Sequence, residues 1–533
     1  MSTTTTDAVQ AGGQQAAGLA RGQARTKAAW AVGTVAAAVV LFTCYLLQSR
    51  TIPVGSDGAS VSLQAWDMLH GNVALRGWWL ADVTFYTTEL PQYAAIESVR
   101  GLSADVAHVG GAMTYTLLVL LAAFLARGRA RGAAGLVRAL LAVGIMLAPQ
   151  LGAASWTLLL SPDHTGTAVP VLLVLLLIDL AGRRWYVPVL TGLVLAWVVV
   201  ADELVVVIGA IPLVLVCVIR AYRGVVTRGE TLRAQWYELS LAAAGILSVP
   251  AGLAGVAVIR ALGGWQVQAL RTKLVAGGEL AHNLKLTGQG LLELFGADFF
   301  DAGSGRAVVF AVAHLLGVAL VAWGFCEAVR RFIRQDALVE SLLVTAIVLN
   351  VAAYVAIVPA VNILSTREIA AVLPFGAVLA GRLLGTRILA ARAVLVLGVV
   401  LAGYAAILGY GAAQPAQAAQ YSNLATWLDA HHLTSGLSGY SSANIVTAES
   451  GGTLRLRPVT WTGGRLAPRK WEAQSTWYDP RTERANFVVL TTAGAYRVPQ
   501  SAVVATFGQP ARTYRYKGYT IMVWDENLLA HLR

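Results

Sequence analysis

Long runs of apolar residues, separated by short polar segments, dominate the chain from residue 28 to residue 411. Runs of roughly 17–25 apolar residues cross a bilayer as helices, because a helix satisfies its own backbone hydrogen bonds there. The pattern therefore predicts a mainly α-helical, polytopic membrane fold with about eleven transmembrane helices. The predicted spans are 28–48, 108–126, 137–160, 167–182, 186–201, 203–221, 238–262, 306–327, 338–360, 369–386 and 393–411.

The composition agrees with a membrane location for most of the chain. Hydrophobic residues make up 57% of the 533 residues and charged residues 13%, about half the charged share of an average soluble domain. The mean hydropathy is +0.63. Cys44, Cys217 and Cys326 all fall within apolar spans, so their spacing predicts neither a disulfide framework nor a metal site.

Arginines are concentrated in the polar segments that follow alternate spans, such as Arg127–Arg131 and Arg183–Arg184. Because basic loops stay on the cytoplasmic side, these segments predict a cytoplasmic N-terminus, with residues 1–27 as a disordered tail. Contact with anionic lipid then accounts for the net charge of +12 without a nucleic-acid partner. The preference for arginine over lysine is typical of a high-GC bacterium, which places the protein in the bacterial cytoplasmic membrane.

The same rule leaves two long loops, 49–107 and 263–305, and the C-terminal part on the extracytoplasmic side. After a linker, residues 415–533 are typical of a small extracytoplasmic α/β domain. The second loop predicts amphipathic surface helices at 265–271 and 284–295. The predicted C-terminal elements are helices at 419–432 and 499–507, a strand at 486–491, and a hairpin of 513–516 and 519–524.

Asp57 is the first candidate for chemistry. It lies between Gly55 and Gly58, shortly after the first span, and residues 59–70 after it predict a helix. A carboxylate at membrane level can act as general base on an acceptor hydroxyl within hydrogen-bond reach. The alternative is a solvated loop aspartate that caps the following helix.

A second polar segment runs from Phe85 to Pro91 and contains Tyr86 and Glu89. Glu89 is a candidate second carboxylate of the same pocket, and Tyr86 offers a ring on which a sugar can stack. The alternative is an aromatic belt at the membrane interface with ordinary loop charges.

Asp163 and His164 lie in a tight turn between two spans, within a residue or two of hydrocarbon. Together with Asp57 they could bind the acceptor or a divalent metal ion, although adjacent side chains in a turn often diverge. The alternative is a cap for the next helix. Asp202 and Glu203 interrupt another apolar run and are interpreted as the polar tip of an outside turn rather than as intramembrane charges.

Arg367 and Glu368 lie near the outer end of the tenth span. Arginine binds phosphate through two parallel hydrogen bonds and keeps its charge, so Arg367 is a candidate ligand for a lipid-linked phosphate. Alternatively, it is an interfacial arginine paired with Glu368 or Asp163. Further candidate phosphate ligands in the second long loop are Arg271, Lys273, His282 and Lys285.

These segments resemble the GT-C superfamily of polyprenyl-phosphate-sugar-dependent membrane glycosyltransferases, which includes protein O-mannosyltransferases and aminoarabinose transferases. Within that superfamily, the chain resembles membrane proteins of actinobacterial type. The resemblance rests on Ser56-Asp57-Gly58, on the 85–91 segment, and on Ser365-Thr366-Arg367-Glu368-Ile369 with Pro374. The chain departs from the pattern at Gly58, where many relatives have a second acid.

The resemblance implies an inverting glycosyltransferase. Asp57 would be the base, Arg367 would hold the donor phosphate, and Tyr86, Glu89, Asp163, His164 and Glu368 would contact substrate. The implied partners are a polyprenyl-phosphate sugar and a glycan, lipid or protein acceptor, which basic and aromatic residues of the C-terminal domain would orient. No cofactor is certain, and a divalent metal ion stays an open alternative. Asp57, Glu89, Asp163 and Arg367 should then line one outward cavity. Two other functions stay open: a transporter or lipid flippase, and a non-catalytic envelope scaffold.

Overall fold

The structure, a computed structural model, describes residues 28–267, 274–300, 302–334, 337–356, 362–491 and 496–532. The predicted N-terminal tail, 1–27, lies outside these residues. Within them, eight helices are long and apolar enough to cross a membrane, and three further apolar helices are shorter. The chain is therefore a mainly α-helical, multi-pass membrane protein, as the apolar runs predict.

The helices of the described residues, in chain order, are α1 (Ala28–Ser49), α2 (Ser56–Leu69), α3 (Glu89–Arg100), α4 (Val106–Arg127), α5 (Gly132–Met146), α6 (Ala153–Leu159), α7 (Thr165–Ala181), α8 (Tyr186–Val199), α9 (Ile211–Arg228), α10 (Trp236–Ala261), α11 (Leu280–Leu294), α12 (Gly305–Arg334), α13 (Leu338–Ala356), α14 (Val372–Ala390), α15 (Val394–Ala412), α16 (Ser422–Ala430), α17 (Tyr440–Glu449) and α18 (Gln500–Phe507). A π-helical turn, Val206–Ala210, leads into α9, and a 3₁₀ turn, Ile363–Ile369, leads into α14.

Two predicted helices were wrong in extent or kind. The span expected at 137–160 is interrupted: α5 ends at Met146 and α6 begins at Ala153. Pro149 cannot donate a helical hydrogen bond, and Gly152 adopts a φ of 93°, so the backbone leaves the helix between them. The surface helix expected at 265–271 is absent where described, because Gln266–Val267 form a strand; residues 268–271 lie outside the description. The helix expected at 284–295 is confirmed as α11.

Helix α14 lies at the centre of the membrane bundle and is buried along most of its length. It packs against α4, α5 and α12. A Cβ on Gly381 would lie 2.6 Å from the backbone oxygen of Arg138, so a small residue is required for this close helix approach.

Ion pairs tie the helices together at the end of the bundle where the arginine-rich loops lie. Arg382 donates to both Asp179 and Glu340, and Arg183 pairs with Glu238 at 3.0 Å. The C-terminal region lies at the other end of the helices. The basic segments and the C-terminal region are thus separated by the length of the bundle.

The strands of the described residues are β1 (Trp78–Leu80), β2 (Gln266–Val267), β3 (Ser435–Gly439), β4 (Arg455–Thr462), β5 (Arg465–Pro468), β6 (Ala473–Gln474), β7 (Phe487–Thr491), β8 (Arg512–Tyr516) and β9 (Tyr519–Val523). The C-terminal region is built on a mixed six-stranded sheet with the order β5-β4-β3-β7-β9-β8. Strand β3 runs parallel to β4 and β7, and the other pairings are antiparallel. The predicted helices, strand and hairpin are confirmed, the last turning at Lys517 and Gly518.

A second, three-stranded sheet connects segments that are far apart in sequence. Its central strand, β1, comes from the first long loop and pairs in parallel with β2 from the second. On its other side β1 pairs antiparallel with β6 of the C-terminal region. Helix α17 also packs directly on α2. The C-terminal region is therefore fixed against the first loop on two elements.

Candidate functional site

The Asp57 carboxylate lies between two parts of the chain that are distant in sequence. Its Oδ1 accepts a 2.7 Å hydrogen bond from the Tyr440 hydroxyl, and its Oδ2 is 3.9 Å from Nη1 of Arg367. The side chain is 49% exposed, so solvent reaches it. Loss of part of its hydration raises the pKa of Asp57, while the charges of Arg367 and Arg469 act against this rise.

The first turn of α2 places this carboxylate by packing on neighbouring loops. A Cβ on Gly58 would lie 2.9 Å from the backbone oxygen of Ser161 and 3.0 Å from Cβ of Ala107. Ser161 in turn donates its backbone N–H to Ala107. The position after Asp57 therefore has no room for a second acid, which explains why a glycine stands there.

Arg367 is the cation of the site. It lies in the 3₁₀ turn before α14, where the Asn362 side chain accepts a hydrogen bond from the backbone of Leu364 and fixes the start of the turn. Burial opposes its charge, but Asp163, Glu368 and Asp57 outweigh burial and raise the pKa of Arg367. Among the described residues its guanidinium makes only the long contact with Asp57, and it is 37% exposed. It is charged and partly exposed, so a ligand can reach it.

His164 is held between two carboxylates. Its Nδ1 is 2.7 Å from Oδ2 of Asp202 and its Nε2 is 3.2 Å from Oε2 of Glu368. Burial opposes protonation, but the two carboxylates raise the pKa of His164 well above its ordinary value. Both ring nitrogens therefore carry hydrogen, and the imidazolium links the turn before α7 to the turn before α14.

Asp202 was predicted as the polar tip of a turn. It does lie in a turn, but its side chain is not exposed to solvent as a polar tip would be. Its side chain is buried, and it accepts hydrogen bonds from Thr167 and from the backbone of Leu204. Glu203 is the exposed residue of the pair. The backbone oxygen of the preceding Ala201 accepts the N–H groups of Thr84 and Phe85, which attaches the first loop to this turn.

Asp163 is buried beside these groups, and its Oδ1 accepts a 2.7 Å hydrogen bond from the backbone of His164. Burial raises its pKa to about 7, although the charges of Arg367 and His164 oppose the shift. The structure therefore brings Asp57, Asp163, His164, Arg367 and Glu368 into one cluster.

Glu89 lies at the first position of α3 and is 2% exposed. Its carboxyl group rests on the Cα of Gly166 at the start of α7, where any Cβ would collide with it. Neither oxygen makes a hydrogen bond of ordinary geometry. Burial raises the pKa of Glu89 to about 8, with the nearby Thr88 hydroxyl opposing the shift. Glu89 is thus a buried, neutral acid next to the cluster and does not line an open cavity.

Tyr86 contacts residues of the two long loops. Its hydroxyl donates 2.8 Å to the backbone oxygen of Val73, and its ring centroid lies 5.7 Å from that of Trp265. Of the other candidate phosphate ligands, His282 and Lys285 are exposed on α11, and Arg271 and Lys273 lie outside the described residues.

Sequence reasoning missed the groups that the C-terminal region adds. Tyr440 donates to Asp57 and also contacts the carboxyl group of Glu472. The guanidinium of Arg469 lies 4.5 Å from the centroid of the Tyr440 ring. No motif marks these residues, since a tyrosine at a helix start and a lone glutamate are ordinary in a small α/β fold.

The described residues do not fit the metal site suggested for Asp57, Asp163 and His164. No group of three or more His, Cys, Asp or Glu side chains in the described ranges is arranged to hold an ion. Both nitrogens of His164 are occupied by carboxylates, so the ring has no free ligand atom.

No protein-family model matches the chain, and no curated protein sequence does. Among solved structures, the chain is similar to the crystal structure of the Archaeoglobus fulgidus oligosaccharyltransferase in complex with zinc and sulfate. The TM-score is 0.46 at 13% identity, over 85% of this chain and 67% of that one. For the apo form of the same protein the TM-score is 0.43 at 11% identity, over 86% and 69%. Neither similarity assigns a substrate, a metal or an activity to this chain.

Proposed function

We propose that the protein is an inverting glycosyltransferase that moves a sugar from a polyprenyl-phosphate donor to an acceptor hydroxyl at the outer face of the bacterial cytoplasmic membrane. The observation that supports it is the pairing of Asp57 with Arg367. A solvent-accessible carboxylate lies 3.9 Å from a charged guanidinium with no closer partner among the described residues. An acid and a cation at this spacing can serve a hydroxyl nucleophile and a phosphate leaving group together.

The reaction divides between these two side chains. Asp57 takes the proton of the acceptor hydroxyl while the hydroxyl oxygen forms a bond to the anomeric carbon of the sugar. The bond from that carbon to the phosphate oxygen breaks, and its electron pair leaves with the polyprenyl phosphate. Attack from the face opposite the leaving group inverts the anomeric centre. The proton on Asp57 then passes to solvent, to which the carboxylate is open.

The leaving phosphate gains charge as the bond breaks, and Arg367 stabilises that charge. The negative charges of Asp163 and Glu368 favour the protonated form of Arg367, and the His164 imidazolium pairs with Glu368. Glu89 supports the turn that carries Asp163 and His164 through its contact with Gly166. These residues act on the substrate through Arg367.

In this proposal the arginine-rich end of the bundle faces the cytoplasm, and the C-terminal region, 415–533, is an extracytoplasmic domain. The donor enters from the outer leaflet, where its lipid tail stays in the bilayer. The acceptor is a glycan, lipid or protein that reaches Asp57 from the aqueous side.

The experiment is sugar transfer by the purified full-length protein in lipid vesicles, with radiolabelled polyprenyl-phosphate sugars and a mixture of cell-envelope acceptors. We expect Asp57→Asn to lower kcat by at least about 100-fold. Asp429→Asn, an exposed aspartate of α16, is the matched control and should keep wild-type turnover.

Normal turnover by Asp57→Asn would contradict the role of Asp57 as base. Movement of intact lipid-linked sugar across the vesicle bilayer without transfer would instead identify a flippase. An assay with EDTA, followed by readdition of Mg²⁺, Mn²⁺ or Zn²⁺, tests whether transfer needs a divalent ion.

A further inference from the structure

Tyr440 contacts two carboxyl groups with one hydroxyl. Its oxygen is 2.7 Å from Oδ1 of Asp57, and it also lies within hydrogen-bond reach of the Glu472 carboxyl. Tyr440 is 383 residues from Asp57 in sequence, and Glu472 is 32 residues from Tyr440. The contact therefore joins the first turn of α2 to the C-terminal region.

A phenol hydroxyl has a single hydrogen and can donate it to only one of the two carboxyl groups. The second contact needs a hydrogen from the carboxyl side. Glu472 is 2% exposed, whereas the Asp57 side chain is 49% exposed, so the proton belongs on Glu472. Burial, together with the nearby charge of Asp57, raises the pKa of Glu472 well above its ordinary value.

The backbone around Glu472 is held in place for this contact. Glu472 adopts a φ of 48°, which residues with a Cβ rarely do. Its backbone oxygen accepts a 2.9 Å hydrogen bond from the Asn444 amide, which also donates 2.7 Å to the Ser60 hydroxyl of α2. The next residue begins β6, which pairs with β1. The surrounding structure thus enforces an unfavourable conformation, as is common at functional sites.

We infer that the C-terminal region completes the site: Glu472, as a neutral acid, donates to Tyr440, and Tyr440 donates to Asp57 and positions that carboxylate for proton transfer. Tyr440 and Glu472 are positioning residues, since neither needs to touch the substrate. The inference rests on the proposed role of Asp57 as base.

The chain of hydrogen bonds has two consequences for Asp57. A hydrogen bond donated to the carboxylate favours its charged form and keeps its pKa lower than burial alone would set it. It also fixes the direction of Oδ1. The other oxygen, Oδ2, then lies on the side of Arg367, where it can take the proton of the acceptor hydroxyl. The other charged groups whose fields reach the acids are Arg367, Arg469 and Asp82. The tyrosine is itself braced by Arg469, which also lies 4.3 Å from the centroid of the Tyr496 ring.

The test compares Tyr440→Phe with Tyr421→Phe in the full-length protein in vesicles. Tyr421 is a matched control in the same region, because its hydroxyl donates to the backbone of Ser441 and not to Asp57. We expect Tyr440→Phe to lower kcat about tenfold, the value of one hydrogen bond to a charged group. The acidic limb of the pH profile of kcat/KM should move to higher pH, because Asp57 loses a donor to its charged form. Tyr421→Phe should change neither quantity.

Glu472 is tested with two replacements. Glutamine can donate to the tyrosine oxygen as the neutral acid does, so Glu472→Gln should stay within about threefold of wild-type kcat. Glu472→Ala should behave like Tyr440→Phe. Glu449→Gln, a carboxyl of α17 that contacts the backbone near Tyr421, is the control. Thermal unfolding of each variant separates loss of fold from loss of positioning.

The outcomes distinguish this inference from the proposed function. If Asp57→Asn is inactive while Tyr440→Phe keeps wild-type kcat and an unmoved acidic limb, the positioning role is overturned and the function stands. Equal impairment of Glu472→Gln and Glu472→Ala would overturn the neutral-acid assignment. Full activity of Asp57→Asn would remove the function on which the inference rests.

Discussion

The Nε2 atom of His164 lies 3.2 Å from Oε2 of Glu368, the residue that follows Arg367. The Nδ1 atom of the same ring binds Asp202, so the imidazolium joins two turns from different parts of the bundle. The imidazolium thus fixes the Glu368 carboxylate, whose charge helps to keep the neighbouring Arg367 protonated.

Replacement of Arg367 should weaken donor binding and turnover together. We expect Arg367→Ala to lower kcat/KM for the donor by about 100-fold, because one charge-assisted phosphate contact and its stabilisation of the leaving group are lost. Arg367→Lys should recover part of this, since lysine keeps the charge but not the paired hydrogen bonds. Steady-state kinetics with varied donor concentration measure kcat/KM for each variant. Arg100→Ala, which removes an arginine bound to Asp105, is the control.

His164→Gln should destabilise the protein, because Asp202 and Glu368 lose the cation between them. Breaking a largely buried ion pair in this way costs about 3 kcal/mol. Thermal unfolding in detergent at neutral pH should show a lower midpoint. An unchanged midpoint would mean that the imidazolium does not hold the two turns together.

The same group gives stability a pH dependence. The folded pKa of His164 is raised, so its contribution is fully present below the unfolded value of 6.5 and is lost as pH rises through the folded pKa. The thermal midpoint of the wild type should therefore fall in the alkaline range by more than that of His164→Gln. Unfolding curves from pH 6 upward in closely spaced steps would reveal the difference.

Glu89→Gln should leave the fold intact and should become relatively more stable as pH rises. The folded protein keeps its proton up to a pKa of about 8, whereas the unfolded chain loses it near 4.5. Wild-type stability therefore falls between these values while that of the glutamine variant is unaffected by this group. The thermal midpoint of Glu89→Gln minus that of the wild type should increase from pH 5 to pH 8. A constant difference would contradict the neutral form of Glu89.

Gly166→Ala should lower stability by about 2 kcal/mol, because its Cβ would collide with the Glu89 carboxyl. In the double variant with Glu89→Ala much of this loss should disappear, since the colliding atoms are gone. Gly288→Ala is the control, because nothing lies near a Cβ at that position of α11. Four unfolding midpoints complete the double-mutant cycle, and additive losses would argue against direct contact.

The membrane helices were predictable from sequence because length and apolar composition alone identify a span. The hairpin of the C-terminal region was also predictable, because two alternating strands flank a turn at Lys517 and Gly518. The break in the span at 137–160 was visible in part, since Pro149 cannot continue a helix. The gathering of Asp57, Asp163, His164, Arg367 and Glu368 followed from their common position near one end of the bundle.

The remaining features depend on packing between distant segments. The burial of Asp202 and its pairing with His164 are set by how α7 and α8 pack, which a single sequence does not encode locally. Tyr440 and Glu472 are separated from Asp57 by most of the chain. The positive φ of Glu472 could not be predicted, because the residue is not a glycine. The hydrogen bond from the Tyr86 hydroxyl to Val73 likewise depends on how the first loop folds back on itself.

The small sheet in which β1 pairs with β2 and β6 has a practical consequence for protein engineering. Trp79 stands opposite Gln266 on one side and Ala473 on the other, so the register of one strand aligns three segments at once. The part of the chain beyond α15 therefore cannot be replaced freely by the corresponding region of another protein. A chimaera would need a compatible β6 at the same offset, and a deletion of β6 would leave β1 with a bare, aggregation-prone edge.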